Sequence, residues 1–183
     1  MAGVMILGLA LWFAGHFFKR LAPGPRARLG AGGKGVVAVL IVAGVVLMVI
    51  GFRGWVAPQV WNPPTWTIHL NNLLVLAGFY LFAASGTRAR LATKMRHPQL
   101  SGFKAWAFAH LIVNGDLASI VLFGGLLVWA VLEVIIINRA QPSWTPPVWG
   151  GRKAEWRAAG GAVVAFGVVA MIHLWLGYSP FPG

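Results

Sequence analysis

The fold turns on residues 100–137, LSGFKAWAFAHLIVNGDLASIVLFGGLLVWAVLEVIII. A helix rising about 1.5 Å per residue crosses the hydrocarbon core in roughly 20 apolar residues. This stretch is nearly twice that long and carries charge only at Lys104, Asp116 and Glu133. At its centre stands Asn114-Gly115-Asp116, a turn signal whose aspartate can cap the helix that follows. The stretch therefore reads as a tight helical hairpin, 100–113 and then 117–137.

Working outward, four more apolar runs are long enough to cross, at about residues 2–18, 35–52, 67–85 and 158–177. The first run follows no basic residue and precedes no small-x-small cleavage site with a soluble region behind it. It reads as a retained span rather than a signal peptide. Together these runs predict an all-α integral membrane protein. It is a bundle of about six transmembrane helical segments including a short helical hairpin, organised as a single domain over residues 1–183.

Composition agrees. The chain is 183 residues long, 58% hydrophobic and only 10% charged, with a mean hydropathy of +0.76. Soluble domains carry about 25% charge because their surfaces face water. Cysteine is absent, so disulfides, thiolate ligands and a cysteine nucleophile are excluded. The net charge of +12 could suggest nucleic acid, but no basic segment alternates with stacking aromatics. Most cations instead occupy loops between apolar runs: Lys19, Arg20, Arg26, Arg28 and Lys34; then Arg88, Arg90, Lys94 and Arg96; then Arg139, Arg152, Lys153 and Arg157, while the loop after the second run holds only Arg53. With the hairpin in place, all three basic loops fall on one side, which predicts a cytoplasmic face there and both termini outside. Trp55, Trp61 and Trp66 gather at the opposite interface, and Trp144 and Trp149 flank Pro146 and Pro147 in the penultimate loop. Residues 24–35 read as a flexible basic linker.

In a bilayer the informative residues are polar ones at costly depth. His16 lies three residues before Lys19, and His110 eight residues beyond Gly102, about 12 Å into the fourth segment. Two histidines on facing helices at similar depth can hold a haem iron, each offering one ring nitrogen. The competing reading is that each bonds a neighbouring helix and does no more. Arg96 and His97 precede Pro98 at a helix start, where an anion would be welcome, or where they anchor headgroups. His173 is a further ligand or hydrogen-bond candidate, His69 an interface anchor, and Glu133 a partner for Arg139. No Ser, His and Asp spacing suggests a hydrolase.

The block RHPQLSGFKAWAFAHLIVNGDLASIVLFGGLLVWAV, residues 96–131, resembles the NnrU family of bacterial membrane proteins. GLALWFAGHFFKRL, WNPPTWTIHL and IHLWLGYSPFP extend the resemblance over nearly the whole chain. It implies a multi-pass protein of the bacterial inner membrane associated with nitrite and nitric oxide reduction. It also implies a kinship with 15-cis-zeta-carotene isomerase, a membrane enzyme that uses haem b. Matched motif to motif, that enzyme's histidine ligands fall on His16 and His110, and its cysteine ligand on Ala107. A thiolate-to-imidazole exchange is therefore impossible here.

Haem b on His16 and His110, with Arg96 and His97 near a propionate or other anion, is the resulting expectation. The partners implied are the lipid bilayer and either an apolar small-molecule substrate or a partner reductase. Haem-dependent cis-trans isomerisation of a polyene is the alternative activity. Arg96-His97-Pro98 ahead of a hairpin also resembles isoprenylcysteine-type methyltransferases that use S-adenosylmethionine. Those enzymes carry an acidic pair after the hairpin, and this chain has no adjacent glutamates.

Overall fold

In the computed structural model, which describes residues 1–181, the chain is helical. Among these residues there are seven α-helices and one short 3-10 helix, at Arg90–Thr93. The α-helices are α1 (Ala2–Leu21), α2 (Pro23–Arg28), α3 (Gly32–Gly54), α4 (Thr67–Thr87), α5 (Pro98–Val113), α6 (Leu117–Ala140) and α7 (Arg152–Trp175). Five are long and apolar enough to cross a membrane: α1, α3, α4, α6 and α7. The fourth expected segment, α5, has 16 residues and is not among them. α3 leaves Val39, Val42, Val46 and Val49 exposed, and α7 leaves Val163, Val164, Val168 and Met171 exposed. Such valine-rich outer faces suit lipid as the surrounding solvent.

Two expectations need correction. The stretch 24–35 is not a flexible linker: Pro23 starts α2 at a position that needs no N–H partner, and α3 begins already at Gly32. α7 begins at Arg152, six residues before the apolar run at 158, because hydropathy marks only the apolar part of a helix and not its polar first turns. This places Glu155 in a first helical turn rather than in a loop, where an acid suits the positive helix end.

The helices form two compact units. The first comprises Met1–Trp61 and Asp116–Pro142, and so contains α1, α2, α3 and α6. α1 and α3 run antiparallel at very short range. A Cβ on Gly8 would lie 2.7 Å from the Gly44 carbonyl oxygen, and one on Gly44 would lie 2.9 Å from that of Gly8. Small residues allow such backbone approach where no hydrophobic effect drives helices together. α6 packs along α1 in the same direction, with Leu9 against Gly125 and Arg20 against Glu133. Its start is tied to the segment after α3: Leu117 N–H donates to Pro58 O at 3.0 Å, and Gln59 bridges Asp116. The chain therefore leaves this unit and returns to it at one place.

The second unit comprises Asn62–Gly115 and the chain from Ser143 onward, with α4, α5 and α7. α4 and α5 cross where a Cβ on Gly102 would stand 2.6 Å from Gly78 O. Ala84 of α4 and Ala89 just beyond its end pack with Ala158 of α7, flanked by Tyr80 and Ala83. Asn72 Nδ2 donates to Pro180 O at 2.8 Å, which ties the end of the described chain back to α4. The Asn114–Asp116 break thus separates a helix of each unit. Asn114 Nδ2 donates to the His110 carbonyl at 2.8 Å and so satisfies the end of α5. Asp116 Oδ1 accepts Ser119 N–H at 2.9 Å, while Ser119 Oγ donates to Asp116 Oδ2 at 2.6 Å. Both polar residues serve the turn, as their order in the sequence predicts.

Candidate functional site

Histidine is the residue whose placement matters most. In the first unit, Trp12, His16 and Arg20 follow one another at a spacing of four along one face of α1. Trp129 and Glu133, also four apart, oppose them on α6. The His16 ring lies 4.2 Å from Trp12 and 4.6 Å from Trp129, centroid to centroid, and the two indoles stand edge to face at 5.1 Å. One turn further on, Arg20 Nη1 donates to Glu133 Oε1 at 2.8 Å. Glu133 is buried, at 5% exposure. Its partner is therefore Arg20, not Arg139. Residues six apart on a helix are rotated by about 240°, so Arg139 leaves the face that Glu133 presents to α1.

His16 is half-buried, and its Nδ1 sits 2.9 Å from the Trp12 carbonyl oxygen. A carbonyl only accepts, so Nδ1 carries a proton, and in the neutral ring Nε2 then holds the lone pair. In the second unit, His110 repeats the arrangement, with Nδ1 2.9 Å from Trp106 O and its ring 5.0 Å from the Trp106 ring. His173 does so again, 2.8 Å from Val169 O. Three histidines thus share one tautomer. Among the described residues, no group of three or more His, Asp and Glu side chains is placed to hold a metal ion.

Arg96 and His97 stand where the sequence placed them, just ahead of α5. His97 is the N-cap, with φ −127° and ψ 61°, outside the helical region as the following proline requires. Arg96 Nη2 lies 3.4 Å from the Ser143 carbonyl oxygen, so it also tethers the loop that leads to α7. His69 is exposed in the first turn of α4. Ala107 is fully buried.

These helices and turns follow one family's pattern from end to end: the family model described as "NnrU protein" matches residues 4–180. The chain belongs to the NnrU family. No curated protein and no solved structure matches it. The final Pro182 of the motif at the C-terminal end lies outside the described residues. For this NnrU chain, three features escaped the sequence reading. The Trp12–Trp129 packing around His16 and the Arg20–Glu133 pair both require knowing that α1 meets α6. The third is a carboxylate clamp, in which Glu155 Oε1 accepts Arg90 N–H and Trp149 Nε1–H, each at 2.7 Å. Only the acid's position shortly before an apolar run hinted at that one.

Proposed function

We propose that this NnrU-family protein resides in the bacterial inner membrane with six membrane segments, α5 being the short one. We propose further that it binds haem b through His16 on α1 and His110 on α5, in the service of nitrite and nitric oxide metabolism. The observation that carries this reading is the pair of 2.9 Å contacts from His16 and His110 Nδ1 to backbone carbonyls. Ligand histidines ordinarily donate their second ring nitrogen in this way, which fixes the ring and makes Nε2 the better donor to a metal. The donor set therefore suits an iron porphyrin. Indole rings beside each imidazole provide the apolar walls a macrocycle prefers. When bound, the haem supplies a redox-active iron; the protein's own part is to hold two neutral imidazoles and exclude water. Ala107 offers no thiolate, which favours a stably ligated accessory or electron-passing haem over polyene isomerisation.

The test is an absorption spectrum of the detergent-purified protein, oxidised and reduced, with a pyridine haemochrome assay. A stoichiometric b-type signal is expected. His16→Ala and His110→Ala should each lose it while remaining in the membrane, and His173→Ala should keep it. A colourless wild type from cells supplied with haem, or haem retained by His110→Ala, overturns the assignment.

A further inference from the structure

In the second unit, an open depression of about 480 Å³ lies where α7 begins, lined by Tyr80, Arg90, Lys94, Trp149, Arg152 and Glu155. Its charge is unbalanced: three cations face one carboxylate. That carboxylate is committed, because Glu155 Oε1 accepts the Arg90 backbone N–H and the Trp149 indole N–H at 2.7 Å each. Among the described residues, Arg90, Lys94 and Arg152 form no salt bridge. The Arg90 guanidinium carbon sits 4.9 Å from the Trp149 ring centroid. Stacking occupies the face of a guanidinium and leaves its N–H edge free to hydrogen-bond.

The walls are held in place as well as charged. Gly150 N–H donates to Arg88 O at 3.0 Å, and Glu155 clamps the Arg90 backbone to the first turn of α7. Arg152 is the first residue of that 24-residue helix, and its cap, Gly151, has no side chain to satisfy the first-turn N–H groups. Tyr80 and Trp149 add flat apolar surface beside the cations.

We propose that this depression binds a phosphate-bearing anion, with Arg90, Lys94 and Arg152 on the phosphate oxygens and Trp149 and Tyr80 against the group esterified to it. The proposal does not depend on haem. A forked guanidinium fixed by an indole and a second arginine beside a lysine match the several acceptor oxygens of a phosphate. The volume falls within the range of small-molecule sites, about 300–1,000 Å³. Arg90 and Lys94 follow the end of α4, and Trp149 and Arg152 stand at the start of α7, where an anionic lipid headgroup and a soluble phosphate compound both have access.

The test uses the full chain in a neutral detergent. Wild type, Arg152→Glu and Lys94→Glu are compared with Arg157→Glu, a control that inverts charge on the same helix outside the depression. Size-exclusion elution and far-UV circular dichroism confirm folding, and either single variant suffices. Phosphatidylglycerol retained per chain is counted by native mass spectrometry, and binding of inorganic phosphate and pyrophosphate is measured by calorimetry. Each depression variant should weaken one of these by about tenfold, the scale of one charge-assisted hydrogen bond, while Arg157→Glu should not. Loss of lipid alone identifies a headgroup site, and loss of phosphate or pyrophosphate identifies a soluble ligand. Equal binding by wild type and depression variants, or an equal loss in Arg157→Glu, overturns the proposal.

Discussion

Removing one member of the Arg20–Glu133 pair should cost very different amounts depending on which member is removed. Glu133 is almost enclosed, with 7% of its side chain accessible, whereas Arg20 keeps 27% and lies in the last turn of α1. In Arg20→Ala the carboxylate remains buried in the bundle without its cation. Breaking a buried pair in this sense costs about 3–5 kcal/mol. In Glu133→Gln the remaining arginine is long, flexible and close to the helix end, so it can extend its charge towards water at small cost. The amide keeps the volume and can still accept a hydrogen bond, so the loss should be about 1–2 kcal/mol. The double variant Arg20→Met/Glu133→Leu leaves no charge to solvate and should be less damaged than Arg20→Ala alone. Reversible unfolding in mixed detergent micelles, followed by tryptophan fluorescence and circular dichroism, gives all three differences. If Arg20→Ala is no more destabilised than Glu133→Gln, the carboxylate is not paying a desolvation cost and the burial argument fails.

Two further outcomes follow from backbone geometry. Gly102→Ala places a methyl 2.6 Å from Gly78 O, a backbone atom that cannot move aside, so α4 and α5 must separate. A loss of about 1–3 kcal/mol is expected. Gly167→Ala, with nothing within 4 Å, should be neutral in the same detergent unfolding assay. Asp116→Ala removes the cap that accepts Ser119 N–H and should cost about 1 kcal/mol, with Asp116→Asn retaining most of it. Hydrogen exchange at the start of α6 should rise in the first variant and stay near wild type in the second.

The helices were legible because hydropathy and turn chemistry are local. Asn114-Gly115-Asp116 stops one helix and starts another through side chains that reach only three or four residues away. The identity of the polar candidates was legible for the same reason, since a histidine in an apolar run stands out whatever its neighbours. Partners were not legible. Assigning Glu133 to Arg139 used the nearest cation in sequence, but the carboxylate faces a helix more than a hundred residues away. The basic depression was missed for a related reason. Arg90, Lys94 and Arg152 look like ordinary cytoplasmic anchors until Glu155 draws the Arg90 backbone and the Trp149 indole onto the start of α7.

The inventory of acids narrows what this protein can do with its polar residues. It has three carboxylates against 15 lysines and arginines. Asp116 caps α6, Glu133 pairs with Arg20, and Glu155 fastens the loop before α5 to α7. Each is engaged in holding helices or loops together, and Asp116 and Glu133 lie in a different unit from Glu155. The two proposals rest on groups of other kinds: histidines whose Nδ1 contacts a backbone carbonyl, and cations around the depression that form no salt bridge among the described residues. The proposed haem draws on the first kind and the proposed phosphate on the second, and neither proposal calls on the three carboxylates to move a proton.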